Sequence, residues 1–437
     1  MYYTRVKKYS LLYHLQKAHY DISEFFIEDK DIDDPLKATE IQKHCDEATM
    51  EDIMNSVEGK FNEIRNTFVN HGNKNGDPAN NIFELIENLR QTPNIGPDLE
   101  GEIFNAACRG AREGCFFLKS ASTNAGKSRT SVFDACKLAY PERWSHEKMT
   151  FIREMDFDEY RQPRKVLFIV TEMDIEEIQT MMLAYLSGVD EAHILTDRYE
   201  AGELERVKFA ATIMKKYSGY FLIEAISEPN LTNVEATIKK YATIDGVKYV
   251  FFDYIHTTGS MMTQFQKNGL REDVVLMLMA NQLKQIAKDY NVFVFSATQL
   301  NAKGMETDGN FKDESCIRGS KAVADKCDMG CVMSRVNEDL WSELVPKLRQ
   351  AVNENKIEKY VLDNPEYKPT HIIDIYKMRR GSYRGVRIWS HIHLGTGRRK
   401  DLFMTTANNF PLDWKTNIFT TVEEKMIGNW RELLEVE

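Results

Sequence analysis

The stretch Ala121-Ser122-Thr123-Asn124-Ala125-Gly126-Lys127-Ser128 has the residue types and spacing that hold a nucleoside triphosphate. It follows an apolar run, Gly114-Cys115-Phe116-Phe117-Leu118, and opens a helix-like stretch from Arg129 to Ala139. A strand, a Gly-Lys-Ser loop and a helix N-terminus in that order aim backbone N–H groups at phosphate oxygens. Lys127 would reach the β- and γ-phosphates and the Ser128 hydroxyl would ligate Mg²⁺, with the binding stretch running on to Arg129. The first glycine of the usual pattern is Ala121 here, a steric cost if that position needs a positive φ.

Further candidates lie where apolar runs end. Val166 to Val170 leads into Thr171-Glu172-Met173-Asp174. Glu172 would polarise the attacking water; an acid favourable to a helix N-terminus is the other reading, and the residues alone leave both open. Val247 to Phe252 leads into Asp253, which would hold Mg²⁺ directly or through water. Val292 to Ala297 leads into Thr298-Gln299-Leu300-Asn301, where Gln299 could bond the γ-phosphate or its water; a polar residue closing a strand is the bland alternative. Asn301 to Arg318 reads as a long, structureless, functional loop. With Lys303, it runs into Arg318, Ser320 and Lys321, which suit phosphate-backbone contact, ordinary surface charge being the favoured reading for any one of them alone. Another such loop, 256–270, carries Lys267, with Arg271 just beyond. Between Tyr376 and Lys400 there are eight Lys or Arg and no Asp or Glu, with Lys377 and Arg379 at a strand end. An arginine supplied there by a neighbouring subunit would stabilise charge on a transferring phosphoryl group; the others are surface or a second nucleic-acid contact.

Positioning these groups requires an alternating α/β chain. Strands are expected over 115–119, 165–171, 219–225, 247–252, 292–297, 329–334, 371–377 and 385–392, with helical patterns between the first five. That is a mostly parallel sheet flanked by helices, with ligands beyond the carboxyl ends of its strands. The leader is different. Leu11, Leu15, Ala18, Ile22 and Phe25 recur at helical spacing, as do Met50, Ile53, Val57, Phe61, Ile64 and Phe68. Asp21 to Asp34 is an acidic face or loop, and Asn70 to Pro78 a breaker-rich linker. Ile82, Phe83, Ile86 and Leu89 mark a short amphipathic docking helix that stops near Pro93. The expected organisation is a helical N-terminal region over 1–78, a linker with the docking helix over 79–98, and an ATPase domain over 99–437.

The 437 residues carry a net charge of −10, so any nucleic-acid site is local on an acidic body. The seven cysteines have no framework spacing, which suits a reducing cytosol. Cys316, Cys327 and Cys331 read as buried thiols rather than zinc ligands. The N-terminus lacks an apolar signal core, and no run is long enough for a bilayer, so a soluble cytoplasmic protein without membrane contact is expected.

Taken in order, these motifs resemble the RecA-like motor domain of DnaB-type hexameric replicative helicases, across about residues 95–405. The matching segments are Asn124 to Ser128, Thr171-Glu172-Met173, Asp253-Tyr254-Ile255, Thr298 to Asn301, Ile317-Arg318-Gly319-Ser320 leading to Cys327-Asp328, and Lys377-Met378-Arg379. The Arg-Gly-Ser element is most similar to phage-type ring helicases. The resemblance implies a RecA-like P-loop ATPase core behind a small helical region, with ATP and Mg²⁺ as cofactors. It assigns water activation to Glu172, metal association to Asp253 and phosphate sensing to Gln299. Lys377 and Arg379 would reach a neighbour's site, while Arg318, Ser320 and Lys321 grip the strand. It further implies single-stranded DNA as the track, a homo-oligomeric ring (a hexamer), and a docking helix against the adjacent subunit. Residues 1–95 do not look like the family's usual collar, so a loader or primase partner for the N-terminal helices stays open. A strand-exchange recombinase, which would form filaments, and an ATP-switched loader or interaction protein are the competing readings.

Overall fold

The computed structural model describes residues 2–27, 34–68, 81–91, 94–153, 162–258, 271–306, 309–318, 321–355, 359, 362, 368–379 and 383–412. The chain falls into two compact units, Met1–Thr92 and Pro93–Glu437.

The first unit holds α1 (Tyr2–Lys17), α2 (Pro35–Glu47), α3 (Met50–Phe68) and α4 (Ile82–Gln91). Asp34 caps α2 by accepting from the N–H groups of Leu36 and Lys37, and Pro35 pre-sets the first turn. Thr49 and Asp52 bond each other's backbone N–H at the start of α3, a reciprocal cap. Leu12, Leu15, Cys45, Ile53 and Val57 form a small core. Ile22 and Phe25 join it from the turns after α1, so their helical spacing runs on beyond the helix itself. The apolar residues Ile82, Phe83, Ile86 and Leu89 of α4 are exposed.

The second unit opens with α5 (Glu102–Cys108) and is built on one ten-stranded sheet. Its parallel half is β1 (Phe116–Ala121), β4 (Val166–Val170), β5 (Phe221–Ala225), β6 (Tyr249–Asp253), β7 (Phe293–Gln299) and β8 (Met329–Arg335). A two-stranded ribbon, β2 (Glu142–Ser145) and β3 (Thr150–Arg153), stands apart. The antiparallel half is β9 (His371–Met378), β10 (Val386–His393), β11 (Arg398–Thr406) and β12 (Pro411–Leu412). The order is β12-β11-β10-β9-β8-β1-β7-β6-β4-β5. Between the strands run α6 (Lys127–Ala139), α7 (Ile175–Ser187), α8 (Glu191–Thr196), α9 (Glu203–Lys216), α10 (Leu231–Ile244), α11 (Glu272–Asp289), α12 (Ala302–Glu306), α13 (Lys321–Ala324) and α14 (Glu338–Asn353).

The central strands are apolar throughout because both faces are covered. Phe116 and Leu118 join the cluster under α10 and α11, while Phe117 between them joins the cluster under α6 and α7. All eight expected strands are present, and so is the expected mostly parallel sheet flanked by helices. The ribbon, β11 and β12 were not anticipated.

The 301–318 segment is not structureless. It contains α12, a 3₁₀ turn at Glu314–Cys316 and a bridge between Leu300 and Ile317. Leu300, Cys316, Ile317 and Tyr376 bury it against the sheet. Arg387 pins the segment further. Its guanidinium donates to Asp374 at 2.8 Å and to the carbonyls of Gly309 and Asn310. Arg387 and Arg399 are therefore core ion-pair residues rather than surface cations, Arg399 pairing with Asp401. Arg387→Met, which strands the Asp374 carboxylate, is expected to cost about 3–5 kcal/mol in urea unfolding; a loss within error would show that the pair is dispensable.

Candidate functional site

The loop from Ser122 to Gly126 joins β1 to α6 at the carboxyl edge of the sheet, beside the ends of β7 and β8. Left-handed backbone occurs at Asn124 (φ 63°) and Gly126 (φ 86°), not at Ala121, which closes β1. Alanine therefore stands at the first position of the pattern without torsional penalty. Gly126 is the constrained residue: a Cβ there would overlap the Leu394 side chain. Arg335 of β8 donates to the Asn124 carbonyl at 3.1 Å and so braces the loop from below. His371 neighbours the loop, and burial pushes its pKa down to about 4, so it is neutral. Arg129 pairs with Glu191 of α8.

Lys127 begins α6, and its Nζ sits 3.4 Å from the ring centroid of Tyr254. Burial lowers the Lys127 pKa, opposed by the charges of Asp253 and Glu172. Asp253 closes β6 and is buried. Burial raises its pKa, while Lys127 and a hydrogen bond with Ser128 pull it down. Its Oδ1 is buried with no hydrogen-bond partner. An acceptor left bare beside a serine hydroxyl and a lysine suits a divalent cation carrying triphosphate. The donor set thus fits Mg²⁺ bound with ATP.

Glu172 follows β4 and is exposed; its Oε1 accepts from the Tyr254 hydroxyl at 3.0 Å. Gln299 closes β7 and donates from Nε2 to that same hydroxyl at 3.2 Å. Arg318 donates to Gln299 Oε1 at 3.1 Å and to Glu272 Oε1 at 3.0 Å. Lys127, Tyr254, Glu172, Gln299 and Arg318 thus form one contact network, with Ser128 and Asp253 next along the chain to Lys127 and Tyr254. Tyr254 at its hub had no role assigned from sequence. Its signal was an aromatic directly after the strand-end aspartate. Burial first, and then Glu172, push its pKa up to about 12, so it remains a donor at neutral pH.

Other candidates make contacts outside this network. Lys303 donates to Ser315 at 3.3 Å and Lys321 pairs with Glu314 at 3.4 Å, both flanking Arg318 in sequence. Ser320 and Lys267 fall outside the described residues. Lys377 donates to the carbonyls of Ala324 and Asp325, at 2.9 and 2.8 Å. Arg379 keeps a 3.5 Å contact with Asp328, its side chain 52% exposed. Lys377 pairs with Gly330, which pairs with Leu118, so both cations stand toward the opposite end of the sheet from the phosphate loop. One chain does not bring them to its own nucleotide site. Cys316, Cys327 and Cys331 are buried free thiols.

Residues 105–393 match the family described as DnaB-like helicase C terminal domain. The SPbeta prophage-derived uncharacterized protein YorI of Bacillus subtilis (strain 168) is 32% identical over 413 residues, which span 93% of this chain and 77% of that protein. Among solved structures, one described as an ATPase domain superposes with a TM-score of 0.53 at 12% identity, covering 75% of this chain and 99% of that one. A DnaB-like replicative helicase, described with its interactions with primase, gives 0.51 at 12% identity over 84% of this chain and 80% of its own. At that identity the two structures speak to fold alone.

Proposed function

Because this chain belongs to the DnaB-like helicase C-terminal domain family, in a phage-like version, we propose that it is an ATP-driven helicase that forms a ring and translocates on single-stranded DNA during replication. One observation carries this reading: Lys127 of the phosphate loop, Glu172 and Gln299 meet at Tyr254 in a contact network that ends on Arg318, with Ser128 and Asp253 next along the chain to Lys127 and Tyr254.

In this reading the loop N–H groups and Lys127 cradle the triphosphate, and Ser128 and Asp253 hold Mg²⁺. Bound there, Mg²⁺ would neutralise phosphate charge. Glu172 takes a proton from water, the water oxygen bonds the γ-phosphorus, and the bond to the ADP oxygen breaks. Gln299 reads the γ-phosphate, and Arg318, Ser320, Lys321 and Lys303 meet the DNA backbone. Arg379, with Lys377, comes from the adjacent copy, so six copies in a ring share their sites. The exposed apolar residues of α4 dock on the adjacent copy, and the helices of the N-terminal region offer a surface to a loader or primase. Among the described residues no helix is long and apolar enough to cross a membrane, and a cytoplasmic setting fits a DNA substrate.

The test is steady-state ATP hydrolysis with and without single-stranded oligonucleotide, paired with particle images in an ATP analogue. Closed rings and DNA-stimulated turnover are expected. Helical filaments would favour a recombinase, and slow turnover indifferent to DNA would favour a nucleotide switch.

A further inference from the structure

The proposed water-activating carboxylate and the proposed DNA-contact arginine are joined through two side chains, Tyr254 and Gln299. Arg318 donates to Gln299 Oε1 at 3.1 Å, Gln299 Nε2 donates to the Tyr254 hydroxyl at 3.2 Å, and that hydroxyl donates to Glu172 at 3.0 Å. The direction is fixed from the cationic end. A guanidinium only donates, so the amide oxygen of Gln299 faces it and the amide nitrogen faces Tyr254. The tyrosine oxygen then accepts, and its single proton goes to Glu172. Hydrogen bonds aligned head to tail strengthen one another.

The ring and the hydroxyl of Tyr254 do separable jobs. The ring seats the Lys127 ammonium at 3.4 Å and lies 4.8 Å from the His256 ring. The hydroxyl alone reaches Glu172. A carboxylate oxygen that accepts such a bond is occupied and turned from water, so it is not free to take a proton. At the far end, Arg318 is held by Glu272 in an ion pair whose side chains are 52% and 45% exposed. A pair of that kind is weak, and a DNA phosphate competes with it directly.

We propose that Tyr254 is a positioning residue that restrains Glu172 until a DNA phosphate captures Arg318. This rests on the helicase reading of the same site. With Arg318 on DNA, Gln299 loses its anchor and turns to the γ-phosphate. The tyrosine hydroxyl loses its own donor, and Glu172 is released to take the water proton. DNA contact thereby becomes a condition for rapid hydrolysis.

Tyr254→Phe tests this on the full chain, because it keeps the ring under Lys127 and removes the hydroxyl. Its DNA-free turnover should rise about fivefold or more, from loss of one charge-assisted hydrogen bond. Its rate at saturating oligo-dT should stay within about twofold of the unaltered chain, and KM for ATP should not move. Arg318→Ala, an exposed position, should also raise the DNA-free rate and should lose the response to DNA. If the unaltered chain responds to DNA and both variants keep its stimulation ratio, the relay is wrong and the helicase reading survives. A Tyr254→Phe protein slow under both conditions, beside an Arg318→Ala protein with an ordinary DNA-free rate, also overturns the relay. An unaltered chain indifferent to DNA removes both ideas.

Discussion

With Arg379 replaced by alanine, ATP turnover of the assembled protein is expected to fall about 10³-fold or more, while each chain still binds nucleotide. The argument starts from placement. The Arg379 backbone N–H is fixed on the Asp328 carbonyl at 2.8 Å, so the root of the side chain is held. Its guanidinium is half exposed, with one long contact to Asp328. That is the state of a cation with little to do in its own chain. Lys377 differs: it caps two carbonyls of the α13 turn, so its loss should act partly on stability. A mixing experiment separates a shared site from a general defect. Arg379→Ala chains keep an intact phosphate loop, and Lys127→Ala chains keep an intact Arg379. Each alone should be inert. Mixed, they create interfaces that pair a good loop with a good arginine, and turnover should return. Full activity of Arg379→Ala by itself, or no recovery on mixing, would end the shared-site reading.

How much of this was legible in the sequence follows from how local each signal is. The parallel strands announced themselves as apolar runs because both of their faces are buried, and Phe116, Phe117 and Leu118 send side chains to opposite cores. The phosphate loop, Asp253, Glu172 and Gln299 sit at strand ends, where the parallel topology gathers them on one edge. β11 was hidden because Arg398-Arg399-Lys400-Asp401 opens it with charge. Two of those charges, Arg399 and Asp401, neutralise each other in the core, which no local pattern reveals. Arg387 misled for the same reason, since its partner Asp374 lies on the adjacent strand. The 301–318 segment read as open loop because it is ordered by scattered contacts to β9 and β10, not by a period of its own. Tyr254 was visible as a letter, but its role required knowing that three strand ends meet at its hydroxyl.

Asp253→Asn should separate stability from activity with opposite signs. Burial raises the Asp253 pKa, and one carboxylate oxygen has no hydrogen-bond partner. An acid whose folded pKa lies above its unfolded value binds its proton more tightly when folded. Its contribution to stability is therefore lost as pH rises through those values, and at neutral pH the ionised group is a net cost. Asparagine has the same shape without the charge, so the variant should melt a few degrees higher in the absence of ligand. Turnover should nonetheless fall by about 10²-fold or more, because a neutral amide is a poor ligand for a hard divalent cation. Adding Mg²⁺ with a non-hydrolysable ATP analogue should then raise the melting temperature of the unaltered chain well beyond that of Asp253→Asn, reversing the order seen without ligand. Thermal unfolding in both conditions reads this crossing directly. A variant that melts lower without ligand would mean that Asp253 is held by its neighbours rather than kept for a cation, and parallel ligand shifts in the two proteins would remove it from the metal site.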